Sequence, residues 1–232
     1  MDRLRGIMRA MIRGCIVTSL LTAILVLACP GYCQDQTTIR SIVDVLRRGH
    51  LSGSLEYRGR CGNENEYVPR DHLEATTPTS FSAPPLQTLR EMLAKDEDLQ
   101  VTQEPDGTIR IVEKAVTQDL LNVKIEHLSF DEARKKYGPI FSFSPPAVLS
   151  FITDAPEVVA FMKDHSIVRA PRFINEPTTS EPQVSGEVNN VALYQALDYM
   201  AKTFRGLWVY KECPGNSENK RIVDLYFYRH WG

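Results

Sequence analysis

The segment VSGEVNNVALYQALD (Val184–Asp198) places a strand pattern directly before a helix pattern. Its first five residues alternate apolar with small or polar side chains, as a half-buried strand does. From about Val191 to Phe204 the apolar residues fall three and four apart, which is the spacing of one helix face. They are Leu193, Ala196, Leu197, Met200 and Phe204. Asn190 precedes this helix and is of a residue type that caps helix N-termini.

Two more strands are predicted after this helix. The segment LWVYK (Leu207–Lys211) alternates in the same way, and a second alternating segment runs from Arg221 to Tyr228. Between them, Pro214-Gly-Asn-Ser217 has the composition of a turn. The C-terminal part of the chain, residues 183–232, is therefore predicted to be a module with the order β-α-β-β.

An earlier part of the chain has the same order. The segment LSGSL (Leu51–Leu55) matches Val184–Val188, and about 25 extra residues, at about 56–80, separate it from the next helix pattern. The helix at 85–95 and the strand at 99–103 match without a gap. The Pro105-Asp-Gly107 turn and the strand at 108–112 follow, and this turn is shorter than its counterpart in the C-terminal module. The chain is therefore predicted to contain two copies of one β-α-β-β module, the first at 34–116 and the second at 183–232.

Residues 117–182 are predicted to be a less regular α/β segment that connects the two modules. Ser129 and Glu132 have the spacing of a capping box before a short helix, which ends at Gly138-Pro139. Together with the two modules, this segment predicts an α+β fold.

Residues 1–33 have the order of a secretory signal peptide. Four arginines precede an apolar run of 14 residues, Cys15–Ala28, whereas a membrane-spanning helix needs roughly 20. Two cleavage sites are open. Cleavage before Cys29 would make that residue a lipidated N-terminus, whereas cleavage after Cys33 would release an ordinary secreted protein; an uncleaved signal anchor is a third alternative. Each of the two cleaved forms predicts a periplasmic or secreted protein, lipid-anchored if Cys29 is the mature N-terminus.

The charge of the remaining chain argues against a nucleic-acid partner. Residues 1–33 contain four of the 27 basic residues and one of the 29 acidic residues, so the chain without them has a net charge of −5. Nucleic-acid binding needs a basic surface. We expect no nucleic-acid partner, and a contact with a membrane only through the lipid anchor.

Two cysteines remain after cleavage behind Cys33, namely Cys61 and Cys213. An even number of cysteines in an oxidising compartment predicts a disulfide, here Cys61–Cys213. The alternative is two thiols that do not pair with each other.

In the last two strands, Trp208 and Tyr210 share one face of the first strand, and Tyr226 and Tyr228 share one face of the second. If the strands pair in a hairpin, these four side chains could form one aromatic patch. Such a patch would suit a recognition surface, because Trp and Tyr dominate interface hot spots. The alternative is that they pack against the connecting segment.

No catalytic or metal-binding motif is present in the sequence. The five histidines are not spaced as metal ligands, and no GxSxG, HExxH or glycine-rich phosphate loop occurs. We therefore predict neither catalytic residues nor a cofactor.

The second module resembles the short N-terminal domain of secretins and TonB-dependent receptors. The resemblance rests on Val184–Val188, on Asn190–Asp198 with Gln195-Ala-Leu-Asp198, and on Leu207–Tyr210, and in the first copy on the hairpin Glu104–Ile111. It implies a small periplasmic β-α-β-β module that works by protein–protein contact. The expected function is a non-enzymatic interaction or assembly module of the bacterial cell envelope, with another envelope protein as partner. The alternative is a small-ligand carrier or hydrolase with a pocket between the two modules.

Overall fold

The predicted α+β class is confirmed by the computed structural model, in which helices pack on a mixed sheet. The structure describes residues 30–59, 73, 76, 83–170, 182–213 and 220–229, and of residues 30–37 and 143 the backbone alone. Residues from Thr38 onward form one compact unit, and the segment before it is a separate one. The predicted signal peptide, with Cys29, lies outside the described residues except for residues 30–33.

The described residues form six α-helices, one 3-10 helix and eight strands. The helices are α1 (Pro30–Arg48), α2 (Pro85–Met92), α3 (Phe130–Tyr137), α4 (Pro145–Thr153), α5 (Pro156–Asp164) and α6 (Leu193–Phe204), with a 3-10 helix at Pro139–Phe143. The strands are β1 (Gly53–Arg58), β2 (Leu99–Gln103), β3 (Ile109–Glu113), β4 (Lys124–Ser129), β5 (Ile167–Arg169), β6 (Glu187–Ala192), β7 (Gly206–Cys213) and β8 (Arg221–Arg229).

Six of these strands form one mixed sheet in the order β2-β3-β1-β7-β8-β5. It consists of two triplets of the same design, β2-β3-β1 and β7-β8-β5. In each triplet an antiparallel hairpin is followed by a strand parallel to the hairpin's second strand. The triplets meet where β1 and β7 pair in parallel.

The two faces of this sheet are covered by different helices. The first core lies between α1, α2 and one face, and it includes Ile42, Leu46, Leu55, Leu89, Ile109 and Val209. The second core lies on the other face under α3–α6, and it includes Phe130, Leu149, Ile152, Leu197, Trp208 and Leu225. The alternation along β7 divides its residues between the two cores, because successive side chains of a strand point to opposite faces.

The first strand predicted for the second module does not join the six-stranded sheet. The strand in this region is β6, which begins at Glu187 and pairs with β4 in a separate two-stranded sheet. Val184 instead lies buried in the second core, where its amide donates to the Ser142 carbonyl. The position beside β8 that corresponds to β1 is taken by β5, from the segment predicted to connect the modules.

Of three local signals in the sequence, the structure confirms the cap of α3 and the turn between β2 and β3 but not the cap of α6. Ser129 Oγ accepts a hydrogen bond from the Glu132 amide at the start of α3, as the capping-box spacing predicted. Asp106 Oδ1 accepts from the Thr108 amide and so closes the turn between β2 and β3. The predicted cap Asn190 is wrong: it adopts a left-handed φ of 52° inside β6, and α6 begins after Ala192.

None of the helices in the described part of the chain combines the length and the apolar character needed to cross a membrane.

Candidate interaction groove

The predicted aromatic patch is wrong, because its four residues lie on opposite faces of the sheet. In the β7–β8 hairpin Trp208 is paired with Phe227, and Val209 with Tyr226. Trp208 and Tyr210 therefore face the second core, and both are fully buried. Tyr226 and Tyr228 lie half-buried against the first core.

The polar atoms of these aromatic side chains bond inside the protein. Trp208 Nε1 donates to Asp198 Oδ1 across 2.7 Å, and the Tyr210 hydroxyl donates to Glu212 Oε2 across 2.9 Å. Burial and the adjacent Glu212 carboxylate raise the pKa of Tyr210 above its ordinary value. Buried Trp208 and Tyr210 thus serve the packing of the fold, which agrees with the alternative reading of the sequence.

A groove of about 850 Å³ opens in the segment that was predicted to connect the modules. Its walls are the end of β4, helix α3, the 3-10 helix, helix α4 and the turn that leads into α5. Among the described residues, those that line it all belong to 127–156. The groove therefore lies within the connecting segment, and no described residue of the two predicted modules lines it.

The groove combines a buried apolar floor with an exposed apolar rim. Leu128 and Phe141 are almost fully buried within it, whereas Tyr137 is 57% exposed and Ile140 is 63% exposed. Backbone conformation explains this contrast, because Gly138 has a φ of 88° and ends α3, and the 3-10 helix starts directly after it. Side chains on the two sides of this break are therefore left at the surface of the groove.

Aromatic contacts hold the floor and the rim together. The Phe141 ring meets the Phe151 ring edge-on at 5.3 Å, and Phe151 meets the core residue Phe130 at 5.9 Å. The exposed ring of Tyr137 lies 5.8 Å from Phe141. These contacts connect the ring of Tyr137 on the rim to the second core.

A chain of hydrogen bonds in the two-stranded sheet ends at His127, which lines the groove. His127 Nδ1 lies 2.7 Å from Asn189 Oδ1, and Asn189 Nδ2 donates to Glu187 Oε1. This arrangement places the proton of a neutral His127 on Nδ1, because Asn189 presents an oxygen to it. His127 itself lies at the edge of the groove.

The charged residues around the groove have mixed signs. Lys136 Nζ lies 5.0 Å from the centre of the Tyr137 ring, within the range of a cation–π contact. Asp154 forms an ion pair of 2.8 Å with Arg169. Glu132 is exposed in the first turn of α3. A groove with both signs of charge suits a partner that is neither strongly acidic nor strongly basic.

A local irregularity in β4 positions the groove residues that this strand supplies. Ile125 and Leu128 are both buried although they are three residues apart, which a regular strand does not allow. Between them the Glu126 amide donates to the Glu157 carboxylate, opposite the left-handed Asn190. The break shifts the alternation of the strand, so that Leu128 forms the floor and His127 lies exposed at the edge.

A buried polar cluster lies elsewhere, between β1, β3 and the loop that follows β3. Glu56, which is fully buried, accepts from Arg110 Nη2 at 2.6 Å, from Gln118 Nε2 at 2.8 Å and from Ser54 Oγ at 3.1 Å. The nearby Glu212 carboxylate accepts from the Thr117 amide at 2.7 Å. These bonds tie the loop to the sheet. The polar groups of this cluster bond to one another, which indicates a structural role.

The described residues include no group of three or more His, Cys, Asp and Glu side chains that could hold a metal ion. Cys213 is buried at the end of β7, whereas Cys61 lies outside the described residues. The pairing of the two cysteines stays a prediction.

Sequence reasoning missed the rim residues Tyr137 and Ile140. The signal that could have found them is the segment YGPIF (Tyr137–Phe141), in which large apolar residues stand on both sides of a helix-ending Gly-Pro pair. Comparison with known proteins found no matching family model, no matching curated protein and no matching solved structure.

Proposed function

We propose that this chain is an exported, non-enzymatic interaction module that binds an apolar segment of another cell-envelope protein in its groove. The observation that carries the proposal is the exposure of Tyr137 and Ile140 on the rim of a groove with a buried apolar floor. Large apolar side chains are costly to leave in water, and their burial by a partner contributes about 25 cal/mol per Å².

The chemistry of the groove supports contact with a protein segment. Tyr is enriched at interface hot spots, and a rigid aromatic rim loses little conformational entropy when a partner docks. The imidazole of His127, which lines the groove, would make one polar contact with the bound segment. Apolar side chains of the partner would supply affinity, and this single polar contact would supply orientation.

The location of this contact rests on the N-terminal sequence. The signal peptide predicted at 1–33 supports export, and the resemblance to the short N-terminal domain of secretins and TonB-dependent receptors supports a periplasmic protein partner. Mass spectrometry of the processed N-terminus tests this part. A lipidated Cys29 or a terminus at Gln34 would support export, and an intact Met1 terminus would contradict cleavage.

The interaction is tested by substitution on the rim, with the partner recovered by co-purification from cell envelopes. We expect Ile140→Asp to abolish recovery of a partner that the unmodified protein retains, because a carboxylate would have to be desolvated in an apolar contact. Val159→Asp is the matched control, because Val159 is 45% exposed on α5 and does not line the groove. Equal recovery with both variants would contradict the proposal.

A small-ligand carrier is the second candidate, and the size of the groove favours it. Pockets for small molecules commonly have volumes of about 300–1,000 Å³, and this groove has about 850 Å³. Native mass spectrometry of the protein purified from its envelope distinguishes the two. A retained small molecule that is lost from Ile140→Asp would favour the carrier, and a mass equal to that of the polypeptide would favour the interaction module.

A further inference from the structure

We infer that copies of this chain associate head to tail by continuing the six-stranded sheet, with β5 of one copy beside β2 of the next. The occupant of each sheet edge is thus a second copy of the same chain. The inference is independent of the groove, because neither β2 nor β5 lines it.

The junction between the two triplets is the template for this contact. There β1 pairs with β7 in parallel over six residue pairs, from Gly53 with Leu207 to Arg58 with Glu212. In the second triplet, β5 holds the position that β1 holds in the first. In the first triplet, β2 holds the position that β7 holds in the second. A contact between β5 and β2 would therefore repeat a junction that the fold already contains.

The strand directions allow this repeat without any change of orientation. β2 is antiparallel to β3, and β3, β1 and β7 are parallel to one another. β8 is antiparallel to β7, and β5 is parallel to β8. β2 and β5 therefore point in the same direction, so a second copy in the same orientation would place them in parallel, as β1 and β7 are. Such a contact is heterologous and leaves an open edge for the next copy.

Both strands are outer strands of the sheet in the part of the chain that the structure describes. On either side of β2 the Glu104 amide donates to the Thr108 carbonyl, and the Lys114 amide donates to the Asp98 carbonyl. Because backbone groups alternate in direction along a strand, those of Val101 and Gln103 point away from β3. At the other end of the sheet, Val168 in the middle of β5 is 36% exposed.

The side chain of Arg90 occupies part of the outer edge of β2. Its Nε and Nη2 atoms each donate to the outward carbonyl of Val101 across 3.2 Å. Charged side chains are a common protection of exposed strand edges. These hydrogen bonds to the Val101 carbonyl have to be broken before another strand pairs with β2, so Arg90 is expected to weaken association.

The contact is also small, because β5 has only three residues. Contacts well below about 1,200 Å² are typical of weak association.

Sedimentation velocity over a concentration series of the processed protein tests the inference. We expect the average mass to rise steadily past that of a dimer as the concentration increases. Arg90→Ala should reach the same mass at about tenfold lower concentration, because no guanidinium competes for the Val101 carbonyl. A monomer at all concentrations for both proteins would overturn the inference, and so would a dimer that grows no further.

A matched pair at Gln103 tests the edge itself. Gln103 is exposed, and Gln103→Pro removes one outward N–H, whereas Gln103→Ala keeps it. Provided that both variants melt as the unmodified protein does, we expect Gln103→Pro to remain monomeric and Gln103→Ala to associate. Association of a folded Gln103→Pro variant would overturn the inference. Ile140→Asp should associate normally, which separates this test from that of the groove.

Discussion

Asp198 on α6 accepts a hydrogen bond of 2.7 Å from the indole of Trp208 on β7, and both side chains are buried. Burial is the largest influence on this carboxyl group and raises its pKa to about 6. The Trp208 hydrogen bond and the positive charges of Arg110 and Lys202 act in the opposite direction, whereas the Glu56 charge adds to the rise. Folding therefore favours the protonated carboxyl.

Stability is expected to depend on pH through Asp198. A carboxyl whose pKa rises on folding contributes stability that is complete below the unfolded pKa of 3.8 and is lost as the pH rises through about 6. The loss amounts to up to about 3 kcal/mol. Asp198→Asn, which keeps an acceptor for Trp208, should remove this dependence and be more stable than the unmodified protein at pH 7.5.

Urea denaturation of the two proteins at pH 4 and pH 7.5 measures this effect. The comparison between the two cancels the titration of other groups. A difference in unfolding free energy that is the same at both pH values would show that Asp198 does not titrate in this window.

Glu56 is expected to be costly to remove. Because it is fully buried and pairs with Arg110 at 2.6 Å, Glu56→Ala leaves a guanidinium without its partner carboxylate. Breaking a buried ion pair from one side costs about 3–5 kcal/mol. The double variant Glu56→Ala/Arg110→Met should recover part of this loss in urea denaturation. A loss below about 1 kcal/mol for the single change would refute the structural role of the cluster.

A disulfide between Cys61 and Cys213 is expected, because the end of β1 is hydrogen-bonded to β7 close to Cys213. Arg58 is paired with Glu212, and the Gly59 amide donates to the Glu212 carbonyl across 2.7 Å. Two residues before Cys61 the chain is thus hydrogen-bonded to the neighbour of Cys213. Peptide mapping without reductant should recover the linked pair, and Cys61→Ser should cost about 2–5 kcal/mol. Recovery of Cys61 as an alkylated thiol would exclude the bond.

Local patterns predicted α2, α3, α6 and both hairpins of the six-stranded sheet, because capping and turn chemistry act over a few residues. The helix at 191–204 is α6, and the turn at Pro105–Gly107 joins β2 to β3. The aromatic patch could not be predicted in the same way. It depended on the register of β7 against β8, and a shift of one residue moves every side chain to the other face. Tyr210 is paired with Leu225 and not with a tyrosine.

The groove could not be predicted from local sequence patterns either, and the reason is different. The exposure of Ile140 depends on how α3, the 3-10 helix and α4 pack on the second core, which involves residues far apart in the chain. The pairing of β5 with β8 is of the same kind, because 51 residues, 170–220, separate the two strands in the chain. Alternation in Val184–Val188 predicted a strand, but it could not predict which sheet that strand would join.

Site-specific photo-crosslinking in cells tests the groove most directly. A photoreactive amino acid is placed at Ile140 on the rim, or at Val159 as an exposed position outside the groove. The proposed function predicts a single protein adduct from Ile140 that Tyr137→Ala weakens, and none of the same mass from Val159. The same adducts from both positions, or none from Ile140 in envelopes where the protein is abundant, would contradict an interaction through the groove.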